Sequence, residues 1–259
     1  MAEKSENNIF VNKEFDPTIL LHVFRRTWYW FPLIFAVFFV GAFLVLRYTK
    51  PIYESDLILQ VIAEDQGADV LDIQRFNETS SLSKEIELLN SEFLFEIALK
   101  RLNVNVSHFA KGEFLTEEKY HQSSFNITPY ELKDSSLCGQ YIYVFPKNEK
   151  ILISYNHNGK KHELEAKPDE IVENEHFKIV VKLNNPESFN SESEKNQLYF
   201  VFNDIQQLAR KLLSNLTVNA LNPQARTIKI TYKSNNSSLS RDIVGSVAQA
   251  FFQNDEKIK

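Results

Sequence analysis

Residues 28–46 read WYWFPLIFAVFFVGAFLVL, an apolar stretch with no charged side chain in 19 positions. At 1.5 Å of rise per residue, a helix over this stretch is about 28 Å long, which matches the hydrocarbon core of a bilayer. About a dozen of its residues are Leu, Ile, Val or Phe, which together favour membrane insertion by roughly 4–7 kcal/mol. A signal peptide would have a shorter apolar region and a cleavage motif of small residues after it. We therefore predict a transmembrane helix over residues 28–48.

The residues that flank this stretch support the same prediction. Arg25 and Arg26 precede it, and Trp28 and Trp30 lie at its start. Indole rings favour the headgroup level of a bilayer, so these four residues are expected to set the placement of the helix in the membrane lipid. Basic residues are slightly more numerous before the span than after it. This bias favours a cytoplasmic tail over residues 1–27 and a periplasmic main domain.

Composition excludes several functional classes. The formal net charge is -5 and no basic stripe is present, so no nucleic acid partner is expected. Cys138 is the only cysteine, which excludes an intrachain disulfide and a zinc site of four cysteines. The six glycines are far apart, and the motifs G-x-S-x-G and H-E-x-x-H are missing. We therefore expect no catalytic residues, no cofactor and no enzymatic activity.

The remaining chain has the patterns of a mixed α/β (α+β) domain. A strand is predicted over Ile52–Ile62, followed by a polar loop over Ala63–Ser80. Apolar residues then recur every three or four positions, which predicts a helix to about Leu102 with a break near Asn90–Ser91. Its predicted buried stripe consists of Leu82, Ile86, Leu89, Phe93 and Ile97. The last predicted elements are a helix capped by Asn203 or Asp204, strands over 216–221 and 227–233, and a helix from Ser237 or Ser238.

The middle of the chain, residues 125–202, is predicted to be rich in β-strands. Residues 151–166 read ILISYNHNGKKHELEA, in which Asn158-Gly159 is typical of a two-residue type I′ turn. This turn pairs His157 with Lys160. One face of the hairpin then carries Ile151, Ile153, Tyr155, Leu164 and Ala166, as a half-buried hairpin requires. The polar stretch Asn184–Asn196 is predicted to be a loop.

Few side chains suggest a chemical site. His157 and His162 are predicted to share one face of the hairpin near its tip, where they could bind a metal ion. Two histidines at the rim of a hairpin are the more common case, so no metal is predicted. Glu85 and Glu87 point apart on a helix, and Cys138 has no basic neighbour in the sequence that would activate its thiol.

Three stretches of the chain together resemble the chain-length-determinant (Wzz-type) family, the polysaccharide co-polymerases of bacterial inner membranes. The first joins DPTILLHVFRRTWYWFPLIF (16–35) through the apolar span to KPIYESDLIL (50–59), with Pro51 and Tyr53 at the outer face. The second is LSKEIELLNSEFLFEIALKRL (82–102), with Glu85 and Ser91. The third is RTIKITYKSNNSSLSRDIVGSVAQAFFQNDEKIK (226–259). Pro51, Tyr53, Glu85 and Ser91 are the base-domain residues that this resemblance singles out.

The resemblance implies an architecture and a role. One N-terminal transmembrane helix is followed by an extracytoplasmic α/β base domain, residues 49–102 and 203–259, with a β-rich insertion at 103–202. The protein is expected to form a homo-oligomeric ring in the bacterial inner membrane. The ring regulates the chain length or export of capsular polysaccharide, O-antigen or exopolysaccharide, beside polymerase or export proteins. Many family members continue through a helical hairpin and a second span to a tyrosine autokinase domain, so such a kinase is among the expected partners.

Three other interpretations are compatible with the residues. The chain is a membrane sensor or ligand-binding module if the β-rich insertion forms a pocket with convergent polar groups. It is a structural part of a secretion or envelope machine if its oligomer has no connection with sugar polymers. It is an enzyme if a cleft collects titratable groups with perturbed pKa values from distant parts of the sequence.

Overall fold

The apolar stretch forms helix α1 (Trp30–Tyr48), and none of its side chains is buried. The structure, a computed structural model, describes residue 22 and residues 24–61, 74–148 and 150–258. In this part of the chain, α1 is the helix whose length and apolar composition suffice to cross a membrane. Arg47 lies in its last turn, where a positive charge complements the helix dipole. The chain divides into two compact units, residues 1–49 and 50–259.

Residues 50–259 form a mixed unit of helices and antiparallel sheets, as predicted. The elements in chain order are β1 (Tyr53–Gln60), α2 (Gln74–Leu89), α3 (Glu92–Arg101), β2 (Val106–Lys111), β3 (Thr116–Glu118), β4 (Phe125–Leu132), β5 (Ile142–Lys147), β6 (Lys150–His157), β7 (Lys160–Ala166), β8 (Ile171–Glu173), β9 (Phe177–Leu183), α4 (Pro186–Lys195), β10 (Gln197–Phe202), α5 (Ile205–Leu213), β11 (Leu216–Asn222), β12 (Thr227–Ser234) and α6 (Ser237–Ile258).

The first hydrophobic core lies on one face of a three-stranded sheet, β1-β12-β11. Ile228, Ile230 and Tyr232 alternate along β12 with half-buried Lys229 and Thr231, so one face of the sheet is apolar. Helices α2, α3, α5 and α6 cover this face. The buried hydroxyl of Ser246 on α6 donates a 2.7 Å hydrogen bond to the carbonyl of Ala98 on α3, so this polar group is satisfied inside the core.

The helical region between Leu82 and Leu102 is broken at Asn90–Ser91, as predicted. Ser91 is the N-cap of α3, because its hydroxyl accepts a 3.2 Å hydrogen bond from the Leu94 amide. The same hydroxyl donates a 2.6 Å bond to the Leu88 carbonyl at the end of α2. The break changes the phase of the helix, so Leu94 is fully buried while Phe93 is 61% exposed. The predicted stripe was therefore wrong at Phe93, whereas Ile97 packs against the first core.

The second hydrophobic core lies between a six-stranded sheet, β3-β2-β10-β5-β6-β7, and a three-stranded sheet, β4-β9-β8. The predicted hairpin is confirmed: His157 pairs with Lys160, and both turn residues have positive φ, 49° at Asn158 and 75° at Gly159. Its predicted inner face lies in this core. His108 on β2 links the two sheets, since its Nε2 accepts a 3.1 Å hydrogen bond from the Ile127 amide on β4. Burial lowers the pKa of His108 to about 4, which keeps the ring neutral and able to accept.

Residues 105–203 contain the second core, and the two ends of this segment lie together beside the first core, which we call the base region. The Asn203 amide donates a 2.8 Å hydrogen bond to the Asn105 carbonyl. The side-chain amide of Asn203 also donates to the Val104 carbonyl at 2.8 Å and to the Ser107 hydroxyl at 2.9 Å. The two ends of this segment are therefore hydrogen-bonded to each other.

Two predicted loops contain helices. Residues 74–80 belong to α2, whereas residues 63–73 of the same predicted loop, and Ile62 at the end of the predicted strand, lie outside the described part of the chain. The stretch Asn184–Asn196 forms α4, because Asn185 caps it with a 3.0 Å bond from the Ser188 amide and Pro186 occupies its first turn. Phe189 is the buried anchor of α4, and a single apolar side chain is too little to produce a visible stripe in the sequence.

Replacement of the cap residue, Ser91→Ala, is expected to destabilise the protein by about 1 kcal/mol, because the Leu94 amide loses its acceptor. Thermal unfolding of the full chain in detergent, followed by circular dichroism, measures this change. Ser191→Ala is the matched control, since Ser191 is exposed on α4 and its hydroxyl donates a 3.1 Å bond to the Ser188 carbonyl. Equal melting temperatures for the two variants would contradict the capping role.

Candidate functional site: an aromatic row beside the base domain

Five aromatic side chains form a continuous row on the outer face of the six-stranded sheet. Tyr199 on β10 pairs with Phe109 on β2 and with Tyr143 on β5, so the three residues lie side by side across three strands. Their ring centroids are 5.1 Å apart for Phe109–Tyr199 and 5.7 Å apart for Tyr143–Tyr199. Tyr141, just before β5, and Phe145, on β5, extend the row, with centroids 5.0 Å from Tyr199 and 6.2 Å from Tyr143 respectively. We call Phe109, Tyr141, Tyr143, Phe145 and Tyr199 the aromatic row.

The aromatic row combines a rigid centre with accessible ends. Tyr199 is only 7% exposed, whereas Tyr141 is 59% exposed and Phe145 is 36% exposed. The buried ring holds its neighbours in stacked and tilted contacts, so the exposed rings lose little conformational freedom when a ligand binds. Exposed aromatic groups that are contiguous in this way are characteristic of an interaction surface.

Two hollows lie along the aromatic row. The larger has a volume of about 930 Å³ and lies between the row and the base region, with Glu118, Asn196, Lys211 and Asn215 among its polar lining. The smaller has a volume of about 680 Å³ and contacts Tyr141, Tyr143 and Phe145 together with Gln140, Asn156 and Lys161. Tyr141 lines both hollows. Aromatic faces are thus bordered by amide, carboxylate and ammonium groups.

Burial controls the ionisation of the groups in the larger hollow. It raises the pKa of the Glu118 carboxyl, which the hydrogen bond from Ser107 and the charge of Lys211 partly oppose. Burial also raises the pKa of Tyr199 to about 12, and the nearby Tyr141 and Tyr143 add to this effect. The Tyr199 hydroxyl is therefore neutral at physiological pH and can both donate and accept a hydrogen bond. Such a surface can bind a ligand that carries many hydroxyl groups and apolar C–H faces.

The sequence alone could have indicated part of the aromatic row. Tyr141, Tyr143 and Phe145 alternate in the strand predicted over Tyr141–Phe145, and alternation places them on one face. The contributions of Phe109 and Tyr199 depend on β10 lying between β2 and β5, which no local pattern reveals.

Two of the residues singled out by the resemblance lie at the start of β1. The Pro51 carbonyl accepts a 2.8 Å hydrogen bond from the Asn235 side chain, and Pro51 lines the larger hollow. Tyr53 is 43% exposed and pairs with Ser234 at the end of the base sheet. Both residues therefore help to hold the first strand against β12.

Glu85 and Ser91 lie elsewhere in the base region. The Glu85 carboxylate is 3.5 Å from the guanidinium of Arg226, which precedes β12 and has a positive φ of 50°. Arg226 also exchanges hydrogen bonds with Val61, from Nε to the Val61 carbonyl at 3.2 Å and from the Val61 amide to its own carbonyl at 3.0 Å. This contact is at the end of β1 opposite to Tyr53. The structure thus does not bring the four base-domain residues into one site.

The four residues predicted to place the protein in the membrane lie in the first unit. Trp28 and Trp30 are 52% and 51% exposed, and Arg25 and Arg26 are exposed as well. The ring of Phe24 lies 6.3 Å from that of Trp28, so apolar and aromatic groups are adjacent at the start of α1. Their role in membrane placement stays a prediction.

The two histidines of the β6–β7 hairpin belong to a larger group. The ring centroids of His157 and His162 are 6.3 Å apart, and His176 lies 4.5 Å from the first and 5.1 Å from the second. Asp134 reaches the same place, with Oδ2 3.2 Å from Nε2 of His157. Sequence reasoning missed Asp134 and His176 because they come from segments before and after the hairpin.

Replacement of the buried carboxyl, Glu118→Gln, is expected to raise the melting temperature at pH 7. The folded protein holds a proton on Glu118 more tightly than the unfolded chain does. The free energy of unfolding therefore falls as pH rises through the raised pKa of this carboxyl. At pH 4, where the carboxyl is largely protonated in both states, the variant and the wild type should melt alike. Glu187→Gln, on the surface of α4, is the control. A variant that gains stability equally at both pH values would contradict the burial argument.

Comparisons with known proteins identify the N-terminal part of the chain. Residues 13–102 match the family model described as Wzz, chain length determinant protein. No curated protein matches the chain. The family match covers residues 13–29, α1, β1, α2 and α3. The resemblance proposed from the sequence is therefore confirmed over residues 13–102, which are similar to the chain length determinant family.

Proposed function

We propose that the protein is an inner-membrane polysaccharide co-polymerase that regulates the chain length or export of capsular polysaccharide, O-antigen or exopolysaccharide. The observation that carries the proposal is the match of residues 13–102 to the chain length determinant family. This match includes the helix that can cross a membrane and the first half of the base region. The role is regulatory and needs no catalytic residue.

Membrane topology follows from the charges around α1 in this proposal. The N-terminus lies in the cytoplasm, and the unit of residues 50–259 lies in the periplasm. The chain assembles into a homo-oligomeric ring beside polymerase or export proteins, and a tyrosine autokinase is a further partner. A regulator of this kind acts through the spacing and number of its subunits, so its effect depends on the geometry of the oligomer and not on a chemical reaction.

The aromatic row is the proposed contact for the sugar polymer. A pyranose ring presents a face of C–H groups that packs against an aromatic face, while its hydroxyls need hydrogen-bonding groups at the edges. Exposed Tyr141 and Phe145 supply the aromatic faces. Gln140, Asn156 and Asn196 supply the amide groups beside them. Several weak contacts in a row can retain a growing chain and still let it advance, because each contact breaks separately.

The second candidate is a membrane sensor or ligand-binding module. The hollow of about 930 Å³ favours it, because this volume and its convergent polar groups fit a small ligand. The two candidates differ in assembly. A co-polymerase needs a ring of several subunits, whereas a ligand-binding module functions as a monomer or dimer.

The oligomeric state of the full chain in detergent separates the two candidates. Light scattering, corrected for bound detergent, is expected to give a particle of several subunits of 30.2 kDa each. Chemical cross-linking in native membranes before solubilisation controls for dissociation by the detergent. A monomer or dimer in both measurements would favour the ligand-binding module and count against the co-polymerase.

A genetic experiment tests the function and the aromatic row separately. Deletion of the gene is expected to change the length distribution or the surface amount of a polysaccharide on gels, and the wild-type gene to restore it. Tyr141→Ala should restore it poorly, because the variant loses an accessible ring of the row. Tyr130→Ala is the matched control, since Tyr130 on β4 is 63% exposed and lies on the other sheet.

Two outcomes of this experiment contradict different statements. If the deletion leaves every surface polysaccharide unchanged in length and amount, the proposed function is wrong. If Tyr141→Ala and Tyr130→Ala restore the wild-type distribution equally well, the aromatic row does not contact the polymer. Both side chains are exposed, so neither substitution should change stability by more than about 0.5 kcal/mol.

A further inference from the structure

A compact group of metal-binding residue types lies at the edge where the two sheets of the second core meet. It consists of Asp134 after β4, His157 at the end of β6 and His176 before β9, and we call it the histidine cluster. One donor atom of each residue lies within 4.8 Å of the other two. The three residues come from three separate segments, so the fold rather than the sequence brings them together.

The carboxylate of Asp134 is oriented by the backbone. Its Oδ1 accepts a 2.9 Å hydrogen bond from the Ser136 amide at the short 3₁₀ turn Ser135–Leu137. Its Oδ2 faces the cluster and lies 3.2 Å from Nε2 of His157. One carboxylate oxygen is thus occupied by the fold and the other is available to the cluster.

A chain of hydrogen bonds holds His176. Its Nδ1 lies 2.8 Å from the hydroxyl of Tyr155, and the side chain of Asn174 donates a 2.9 Å bond to the same hydroxyl. The Asn174 carbonyl oxygen accepts bonds from the His176 and Phe177 amides at 2.8 and 2.7 Å. When Nδ1 carries the proton and donates to the tyrosine oxygen, Nε2 has a free lone pair. Metal-binding histidines are commonly held by such a bond at the second nitrogen.

His157 is the most buried member of the cluster, with only 8% of its surface exposed. Among the described residues its Nδ1 has no hydrogen-bond partner, although the atom is buried. A buried polar atom without a partner is uncommon in folded proteins and needs a physical reason. Its Nε2 lies 2.9 Å from the side-chain amide nitrogen of Asn158 as well as near Asp134, and its ring centroid lies 4.5 Å from that of His176.

We propose that Asp134, His157 and His176 bind a divalent transition metal ion of the zinc type. Two imidazole nitrogens and one carboxylate oxygen form a donor set that zinc prefers, whereas calcium and magnesium require oxygen donors. Zinc bonds of about 2.0–2.2 Å place tetrahedral donors roughly 3.3–3.5 Å apart, so the side chains close by about 1 Å on binding. A solvent molecule completes the tetrahedron.

The bound ion would join the two sheets of the second core. His157 ends a strand of the six-stranded sheet, while Asp134 and His176 flank paired strands of the three-stranded sheet. A metal ion bound here would hold the two sheets together at the edge of the second core, next to the end of the β6–β7 hairpin. This inference concerns a site that is independent of the polysaccharide role.

Zinc titration of the full chain in detergent tests the proposal. The protein is first stripped with EDTA, and calorimetry and metal analysis then measure the affinity and the number of bound Zn²⁺ ions. One tight ion per chain is expected for the wild type. His176→Gln should lose this ion, and Asp134→Asn should weaken its binding at least tenfold. His121→Gln is the matched control, because His121 is also a histidine near a carboxylate, 3.9 Å from that of Asp242, but it is 68% exposed and lies outside the histidine cluster.

Cobalt substitution reports on the coordination itself. Co²⁺ bound by the wild type and by His121→Gln should give the intense visible absorption of a tetrahedral site, and His176→Gln should not. Circular dichroism checks that each variant keeps its β-structure. If His176→Gln unfolds, Asp134→Asn decides, because the Asp134 side chain is 33% exposed and its replacement keeps the size of the group. A wild type that binds no tight zinc, or folded cluster variants that bind it as tightly as the wild type, would overturn the proposal.

Discussion

The pairing of β1 with β12 is the constraint on which the structure of residues 50–259 depends. It joins Tyr53–Gln60 to Thr227–Ser234 in an antiparallel register without interruption, so an edge strand pairs with a central strand that is far away in the sequence. Closing so long a segment has a large entropic cost, although that cost rises only slowly with length. Further contacts support the pairing at both ends and beside it. They are the Asn235–Pro51 bond, the contacts of Arg226 with Val61 and Glu85, and the 2.9 Å bond between the hydroxyls of Ser55 and Ser240.

The two faces of the six-stranded sheet have different environments. Its inner face supplies Phe200 and Ile142 to the second core, where both side chains are fully buried. Its outer face carries the aromatic row, in which one ring is buried and others are accessible. Because neighbours along a strand alternate between the faces, Ile142 supports the fold while Tyr141 and Tyr143 are presented outward. Substitution of an exposed residue on the outer face, such as Tyr141, should therefore have little effect on the core.

Local patterns predicted the elements that depend on local physics. The apolar helix α1, the break before Ser91 and the register set by Asn158-Gly159 each follow from a few neighbouring residues. The patterns failed where tertiary contacts decide. Helix α4 relies on its cap and one buried Phe189 rather than on a stripe, and Phe93 is exposed because the break rotates the next helix. The aromatic row and the histidine cluster need the order of the strands, which pairing across distant segments determines.

The hydrogen bond between the Asn203 amide and the Asn105 carbonyl has an evolutionary consequence. Because the two ends of the segment 105–203 meet, its length and sequence can change while the path of the flanking chain stays the same. The first hydrophobic core takes its buried side chains from outside this segment, so mutations within the segment can change its structure without removing side chains from that core. Sequence changes within residues 105–203 therefore leave the base sheet and the helices packed on it in place.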